Sequence, residues 1–570
     1  MRHLSSPWPL ALTLLTAAVL SLAGSTPARA APSPLATPDA GFVLDADGLH
    51  LRDARGLERA RQPLRAKQMD SRPAFAAQPA LAAVLDADLA QPRLWQAGPE
   101  GLRPGPSLPA LDMDIETLCL LQTPQGQRSL VVIGADGLAE QWLLRQTDAL
   151  PWRRFAVPAG SGHCVGDDAT GQLYVATAAL GVWRLDLARE EAPALQPVAL
   201  RAPMGPLRFA PEQLRLDGPR LTVSDKKGRQ RWHGATAPAS QAALPQVVAR
   251  AQTAPVARRG DAADDPAIWV HPGDPARSRV LGTNKKQGLL VYDLDGRELQ
   301  LLPVGRINNV DLRQQVRAGQ VWMDVAVATQ RDEHALALFA IDAEGTVRDL
   351  GRVVTPLKDI YGVCTARGAD GDLQVFVNDK DGTLLHLRLA PGGADGQGPW
   401  AATELRRLHF GSQPEGCVVD EAGGRVFLGE EDRGVWSLPL RHDAQGAAAR
   451  PQLILPVGGL LQADTEGLAL YDGPHGRYLV VSSQGNDSYV VLDAVPPHRL
   501  RGAFRIGLNA EAGIDGSSET DGLEATAHPL GPNYPQGLLV VQDGHKHLPD
   551  GPQNFKLVDW RDVAAALQLP

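Results

Sequence analysis

The sequence predicts an all-β fold in which two propeller-like domains follow one another, the second complete and the first shorter and diverged. Three observations carry this expectation. Short aliphatic and β-branched runs recur between Gly/Asp turns, among them Leu289–Asp293, Val325–Ala328, Leu373–Val377, Arg425–Leu428 and Tyr478–Ser482, and none has the 3.6-residue period of a helix. Groups of such runs repeat at about 35–50 residues, the span of a multi-stranded propeller blade. The composition agrees: 570 residues are too many for one ordinary core, and 58 Gly and 46 Pro with 44% apolar residues describe a turn-rich globular chain.

The third observation is internal duplication. The segment from Cys164, CVGDDATGQLYVATAALGVWRLDL, lines up with that from Cys417, CVVDEAGGRVFLGEEDRGVWSLPL. Cys119 through Asp136-Gly137 matches Cys364 through Asp381-Gly382 at constant offset. Weaker matches join Asp47-Gly48 to Gly288, Met69–Arg72 to Val310–Arg313, and Glu212 to Glu466. Residues 41–245 therefore read as a degenerate, incomplete copy that stops before any counterpart of the last blade. An Ala/Pro/Gln-rich stretch running from Ala237 to Arg259 separates the copies, with 246–259 as linker and 260–570 as the catalytic propeller.

Ahead of the first copy, Arg2 and His3 precede an apolar stretch from Pro9 to Ala23 and a small-residue site, Ala28-Arg29-Ala30. This is signal-peptide architecture over residues 1–30, with cleavage after Ala30; the apolar run is too short for a comfortable membrane anchor. The mature chain is expected to be secreted or periplasmic, with no membrane association. Cleavage removes Arg2 and Arg29 and no acid, which moves the net charge from −9 to −11. That charge disfavours a nucleic-acid partner. A polyanionic substrate would be repelled as well, unless bound divalent cations reverse the local sign.

Two motifs make that reversal plausible. Gly260–Val270, GDAADDPAIWV, places adjacent carboxylates Asp264 and Asp265 beside a proline at a strand entrance, where oxygen ligands can hold a hard cation. Alone, Asp-Asp-Pro is more often a turn. Gly282–Gly288, GTNKKQG, then adds paired Lys285 and Lys286, which suit phosphate as point charges, although an isolated Lys-Lys is usually just solvated.

With these motifs in view, residues 260–560 closely resemble the β-propeller phytases. The resemblance rests on DDPAIWVHP, GTNKKQGLLVYDLDG, GRINNVDLR, Tyr361-Gly362, Glu415-Gly416, Glu430-Glu431-Asp432, Asp464–Gly467, Ser482–Tyr489, Glu519–Gly522, Gln542–Gly544 and Gln553–Lys556, all in order. It implies a six-bladed propeller with several Ca²⁺ ions in and over its channel, hydrolysing phytate as a calcium complex, in a protein expected to be a monomer. By resemblance the cleavage site uses Asp264, Asp265, Tyr361, Glu415, Glu431, Asp464, Glu466, Gln484 and Asp521. Asp515 and Asp543 fall to calcium sites that stabilise the fold. Lys285, Arg331 and Lys380 hold substrate phosphates, with Lys286 and Asp381 nearby.

The chemistry so implied is that of a multi-metal hydrolase. Six converging carboxylate positions require cations to be stable. Calcium ions ~4 Å apart can activate a water for attack and clamp phosphoryl oxygens, while Lys and Arg neutralise charge on the transferring group. The arginine-glycine-histidine signature of the other main phytase class is absent. Two departures from the family stand out: Gln252 where relatives carry glutamate, and His545-Lys546-His547 where they often carry Glu or Asn. The alternative reading is a non-catalytic, calcium-stabilised binding propeller, against which the retained cations argue; propeller lactonases and quinone dehydrogenases would want different ligands.

Read across the duplication, the first copy has lost this chemistry. Arg331 falls opposite Ala87, Tyr361 opposite Glu116, Lys380 opposite Ala135, Glu415 opposite Gly162 and Glu431 opposite Ala178. The four cysteines form two equivalent pairs, Cys119 with Cys164 and Cys364 with Cys417, on inner strands of consecutive blades. Export favours disulfides within each copy, four buried thiols being the alternative and three pairings being open from sequence.

Overall fold

The computed structural model describes residues 41–190, 192–236, 244–441 and 450–570. The signal-peptide reading of residues 1–30 lies outside these. Among the described residues eleven sheets follow one another, antiparallel but for one added strand, five in the first half and six in the second. Apart from the short terminal helix Trp560–Leu567, regular structure among the described residues is strand and single 3₁₀ turns. No helix among them is long and apolar enough to cross a membrane.

The six sheets of the second half form a closed ring whose innermost strands are Ala263–Trp269, Ile307–Ala318, Ile360–Arg367, Pro414–Asp420, Thr465–Gly473 and Leu523–Thr526. Middle strands are buried on both faces because each blade packs between two others. Ala335–Ile341, for example, is buried along its whole length, which is why it reads as an unbroken apolar run. The core is layered accordingly: Val325, Leu336 and Val353 of one blade meet Val363, Val375 and Leu385 of the next.

The stretch 246–259, expected to be a linker, belongs in part to this propeller. Gln246–Val248 adds a parallel fifth strand to Leu500–Gly507, and Ala251–Gln252 pairs with Asn554–Asp559, so the last blade contains both ends of the domain. Its Ala/Pro/Gln composition hid two strands too short to show a period and paired with residues some 250–300 positions away. Completing the last blade with strands from the domain's two ends ties the ring shut and leaves only a short outer edge there.

The first half repeats this plan in five sheets, the first and last three-stranded. Its second, third and fourth sheets carry an ion network that recurs in the second half. Arg72 bonds Asp70 (3.0 Å) and Asp168 (2.6 Å), as Arg313 bonds Asp311 (3.3 Å) and Glu421 (3.0 Å). Asp70 accepts from the Leu120 amide and Asp311 from the Thr365 amide. Both cysteine pairs are disulfides, Cys119–Cys164 and Cys364–Cys417, with Cα separations of 6.0 and 5.6 Å. In each copy the bridge ties the third sheet's innermost strand to the fourth's.

Candidate active site

The site is made by one construction repeated around the ring. In five blades the innermost strand begins with one residue more than its partner, a β-bulge at Asp264-Asp265, Asn308-Asn309, Tyr361-Gly362, Glu415-Gly416 and Glu466-Gly467. Bulges re-aim side chains at barrel and propeller rims, and here they turn a polar group toward the axis at the same level in each blade. The next strand returns to that level, and the residue after it donates its amide to the residue before or at the start of the first. Lys285 thus bonds Ala262 O (2.7 Å), Arg331 bonds Arg306 O (2.7 Å), Lys380 bonds Asp359 O (3.2 Å), Glu431 bonds Gln413 O (3.0 Å) and Gln484 bonds Asp464 O (3.0 Å). Two rings result, an inner one mostly of acids and a second one holding Lys285, Arg331, Lys380, Glu431 and Gln484.

The glycines of the Tyr-Gly, Glu-Gly and Asp-Gly pairs are explained by close approach between blades. A Cβ on Gly362 would lie 1.9 Å from Glu415 O, on Gly416 2.3 Å from Glu466 O, and on Gly522 2.0 Å from Asp265 Oδ1. Glu415, Glu466 and Asp265 therefore each rest on the glycine of the blade before, and the recurring dipeptides in the sequence are a packing requirement as well as a chemical one.

These residues line a cleft of about 660 Å³ that includes Asp261, Lys285, Tyr361, Glu431, Asp464, Glu466, Gln484 and Asp521. Carboxylate oxygens of Glu415, Glu431 and Glu466 lie within 4.8 Å of one another. Asp264 is fully buried, and neither of its oxygens has a hydrogen-bond partner; Glu466 Oε2 has none either. Burial and Glu415 push the Asp264 carboxyl up to about 7 against the pull of Lys285, and burial and Glu415 do the same to Glu431, also to about 7. Asp265, Glu466 and Asp521 are raised well above the usual range, chiefly by burial and then by neighbouring charges. Burial and Glu415 likewise keep the Tyr361 phenol protonated. Orphaned, buried acid oxygens clustered in this way are a donor set for hard cations.

The cations are placed around that cluster. Lys285 Nζ lies 2.8 Å from Asp261, 3.3 Å from Asp521 and 3.7 Å from Asp264; burial works against its charge, but these acids outweigh it. Lys380 Nζ sits 4.0 Å and the Arg331 guanidinium 5.6 Å from the centre of the Tyr361 ring. Gln484 donates to Asp521 Oδ1 (2.7 Å). Lys286 turns aside to donate to Arg259 O (2.8 Å), and Asp381 caps the turn at Thr383.

Asp515 and Asp543 belong to a different group. Both are fully buried, and the Lys556 ammonium lies between them at 2.6 and 2.9 Å, donating its third bond to Gln252 Oε1 (2.8 Å). Lys556 offsets only one of the two charges: burial and Asp515 still push the Asp543 carboxyl up to about 6 against the pull of Lys556, so this pair is partly compensated where the acids at the mouth are not. Sequence reasoning missed Asn308, which donates to Glu415 Oε1 (3.0 Å), as well as Asp261 beside Lys285 and Gln413, which bonds Glu431. Asn308 sits at the bulge position of its blade and could have been found by aligning blade against blade.

In the first half the construction survives without the chemistry. One-residue bulges recur at Lys67, Glu116 and Gly162, and Ala87 and Ala135 make the same amide bonds, to Arg65 O (2.8 Å) and Asp114 O (2.9 Å).

A six-bladed propeller whose mouth carries converging acids and flanking cations defines a hydrolase of phosphomonoesters. The chain belongs to the phytase family, whose model matches residues 230–569. It is 36% identical over 335 residues to the 3-phytase of Bacillus subtilis (strain 168), across 56% of this chain and 85% of that protein. A functionally unknown protein of solved structure from Desulfotomaculum acetoxidans DSM 771 aligns with 65% of this chain and 94% of its own at 11% identity, with a TM-score of 0.29, too remote to carry an argument.

Proposed function

We propose that this chain is an exported, calcium-dependent phytase that removes phosphate from myo-inositol hexakisphosphate at the mouth of its second propeller. The observation that carries the reading is the pairing of two rings: buried acid oxygens without hydrogen-bond donors, and Lys285, Arg331 and Lys380 at equivalent positions one strand away. Asp264, Asp265, Glu415, Glu431, Glu466, Asp464 and Asp521, with Tyr361 and Gln484, fit a calcium site by donor type and burial. Calcium bound there supplies Lewis acidity toward a water and toward the phosphoryl oxygens.

The chain's own residues do the rest. Arg331 and Lys380, held over the Tyr361 ring, face the position where phosphoryl charge develops and stabilise it. Lys285, kept protonated by Asp264, Asp521 and Asp261, supplies a fixed positive charge on the blade next to that of Arg331. Apart from calcium, no partner is required. Phosphate release from phytate by the purified protein, with calcium and with chelator, tests the reading: release only with calcium is expected, and release unchanged by chelation, or none at all, would refute it.

A further inference from the structure

We propose that residues 187–190 of the first propeller are a positioning element for the substrate cleft of the second, an inference that rests on the proposed function. The strand Gly181–Asp186 ends at the interface, and the segment after it reaches across to both stretches that form one side of the cleft, Glu519 and His545–Gly551. Arg189 Nη2 lies 2.6 Å from Asp487 Oδ2. Asp487 is 8% exposed on its side chain, and its other oxygen accepts the Glu519 amide (2.9 Å). It also ends the 3₁₀ turn Gln484–Asn486, which carries Gln484.

The second arm is at Glu190. Its carbonyl accepts from His547 Nε2 (2.6 Å), so that nitrogen carries the proton, while the His547 amide bonds Asp515. The Glu190 side chain lies against Gly516, where an added Cβ would fall 2.9 Å from Glu190 Cγ. A third contact is apolar: Leu548, 3% exposed, packs with Leu143 and Trp152 of the first propeller. One side of the cleft is thus held from outside its own domain by an ion pair, a hydrogen bond to a backbone carbonyl and a buried leucine. This gives the degenerate propeller a task that needs none of the residues it has lost: fixing the wall against which a large, many-phosphate substrate is oriented.

The test uses the full chain with Arg189→Glu and, separately, Leu150→Glu, which lies beside the Leu548 contact; neither residue touches the acid cluster. Hydrogen exchange of Glu519 and His545–Gly551, which needs no substrate, should quicken by about tenfold. KM for phytate should rise by about fivefold or more with kcat within about twofold, measured at a temperature where both variants are fully folded. Unaltered exchange in both variants overturns the proposal, as does a KM that moves only together with kcat and melting temperature. If the wild-type protein releases no phosphate from phytate, the proposed function fails, and exchange alone decides the role of the segment.

Discussion

At Gly416 an added methyl would stand 2.3 Å from the carbonyl oxygen of Glu466, which sits on the neighbouring blade's bulge and cannot move without carrying its own side chain away from the axis. Gly416→Ala should therefore cost about 1–3 kcal/mol by overpacking and lower turnover beyond what that loss explains, because it displaces two acids of the cluster at once. Thermal unfolding and kcat measured on the same sample check both. Glu431→Ala makes the complementary case. Glu431 is half-buried at the edge of the cluster and does not support a blade contact of this kind, so the variant should fold and yet lose about 10²-fold or more in kcat. A near-normal rate would remove Glu431 from the site. Arg331→Ala and Lys380→Ala, whose side chains rest on Tyr361, should raise KM and lower kcat together, because the same cations hold the phosphate and stabilise the charge it develops.

The blade is the element on which sequence and structure are best compared. Its inner hairpin was legible because Asp264-Asp265, Tyr361-Gly362, Glu415-Gly416 and Glu466-Gly467 occupy one bulge position, and a bulge that must both aim a side chain and admit a neighbour's backbone leaves a two-residue signature. Asn308 occupies the same position but carries no charge, so it was passed over. The strands Gln246–Val248 and Ala251–Gln252 were illegible for a different reason: their pairing is with Leu500–Gly507 and Asn554–Asp559, and nothing local marks it. Lys556 lies in the Gln553–Lys556 motif, but only the fold brings it to Asp515 and Asp543. The disulfides belong to this scale too, since each joins two consecutive inner strands. Replacing Cys364 and Cys417 together by Ser should cost about 2–4 kcal/mol by releasing a loop of 53 residues in the unfolded chain, read as a lower unfolding midpoint in denaturant, with kcat at low temperature preserved.

Over the whole molecule the excess of acid and the fold's stability are linked through pH and metal. Without cations, Asp264 and Glu431 hold their protons to about pH 7, whereas in an unfolded chain carboxyls release them near pH 4. Between those values the folded state binds more protons than the unfolded state, so stability must fall as pH rises. The contribution is fully present below the ordinary carboxyl range and is lost as pH passes through about 7. Glu466, Asp521 and Asp265, also raised by burial first and by neighbouring charge second, add to the same trend. Calcium would take the place of those protons: it binds the ionised acids, offsets their repulsion, and adds its binding free energy to folding only when they are ionised. The melting temperature of chelated protein should therefore decrease steadily from pH 5 to pH 8, and that of the calcium-loaded protein much less, so that the difference between the two widens with pH. Calorimetry of both forms across that range checks the sign. A difference that narrows as pH rises would mean that calcium stabilises the molecule somewhere other than at the acids of the second propeller's mouth.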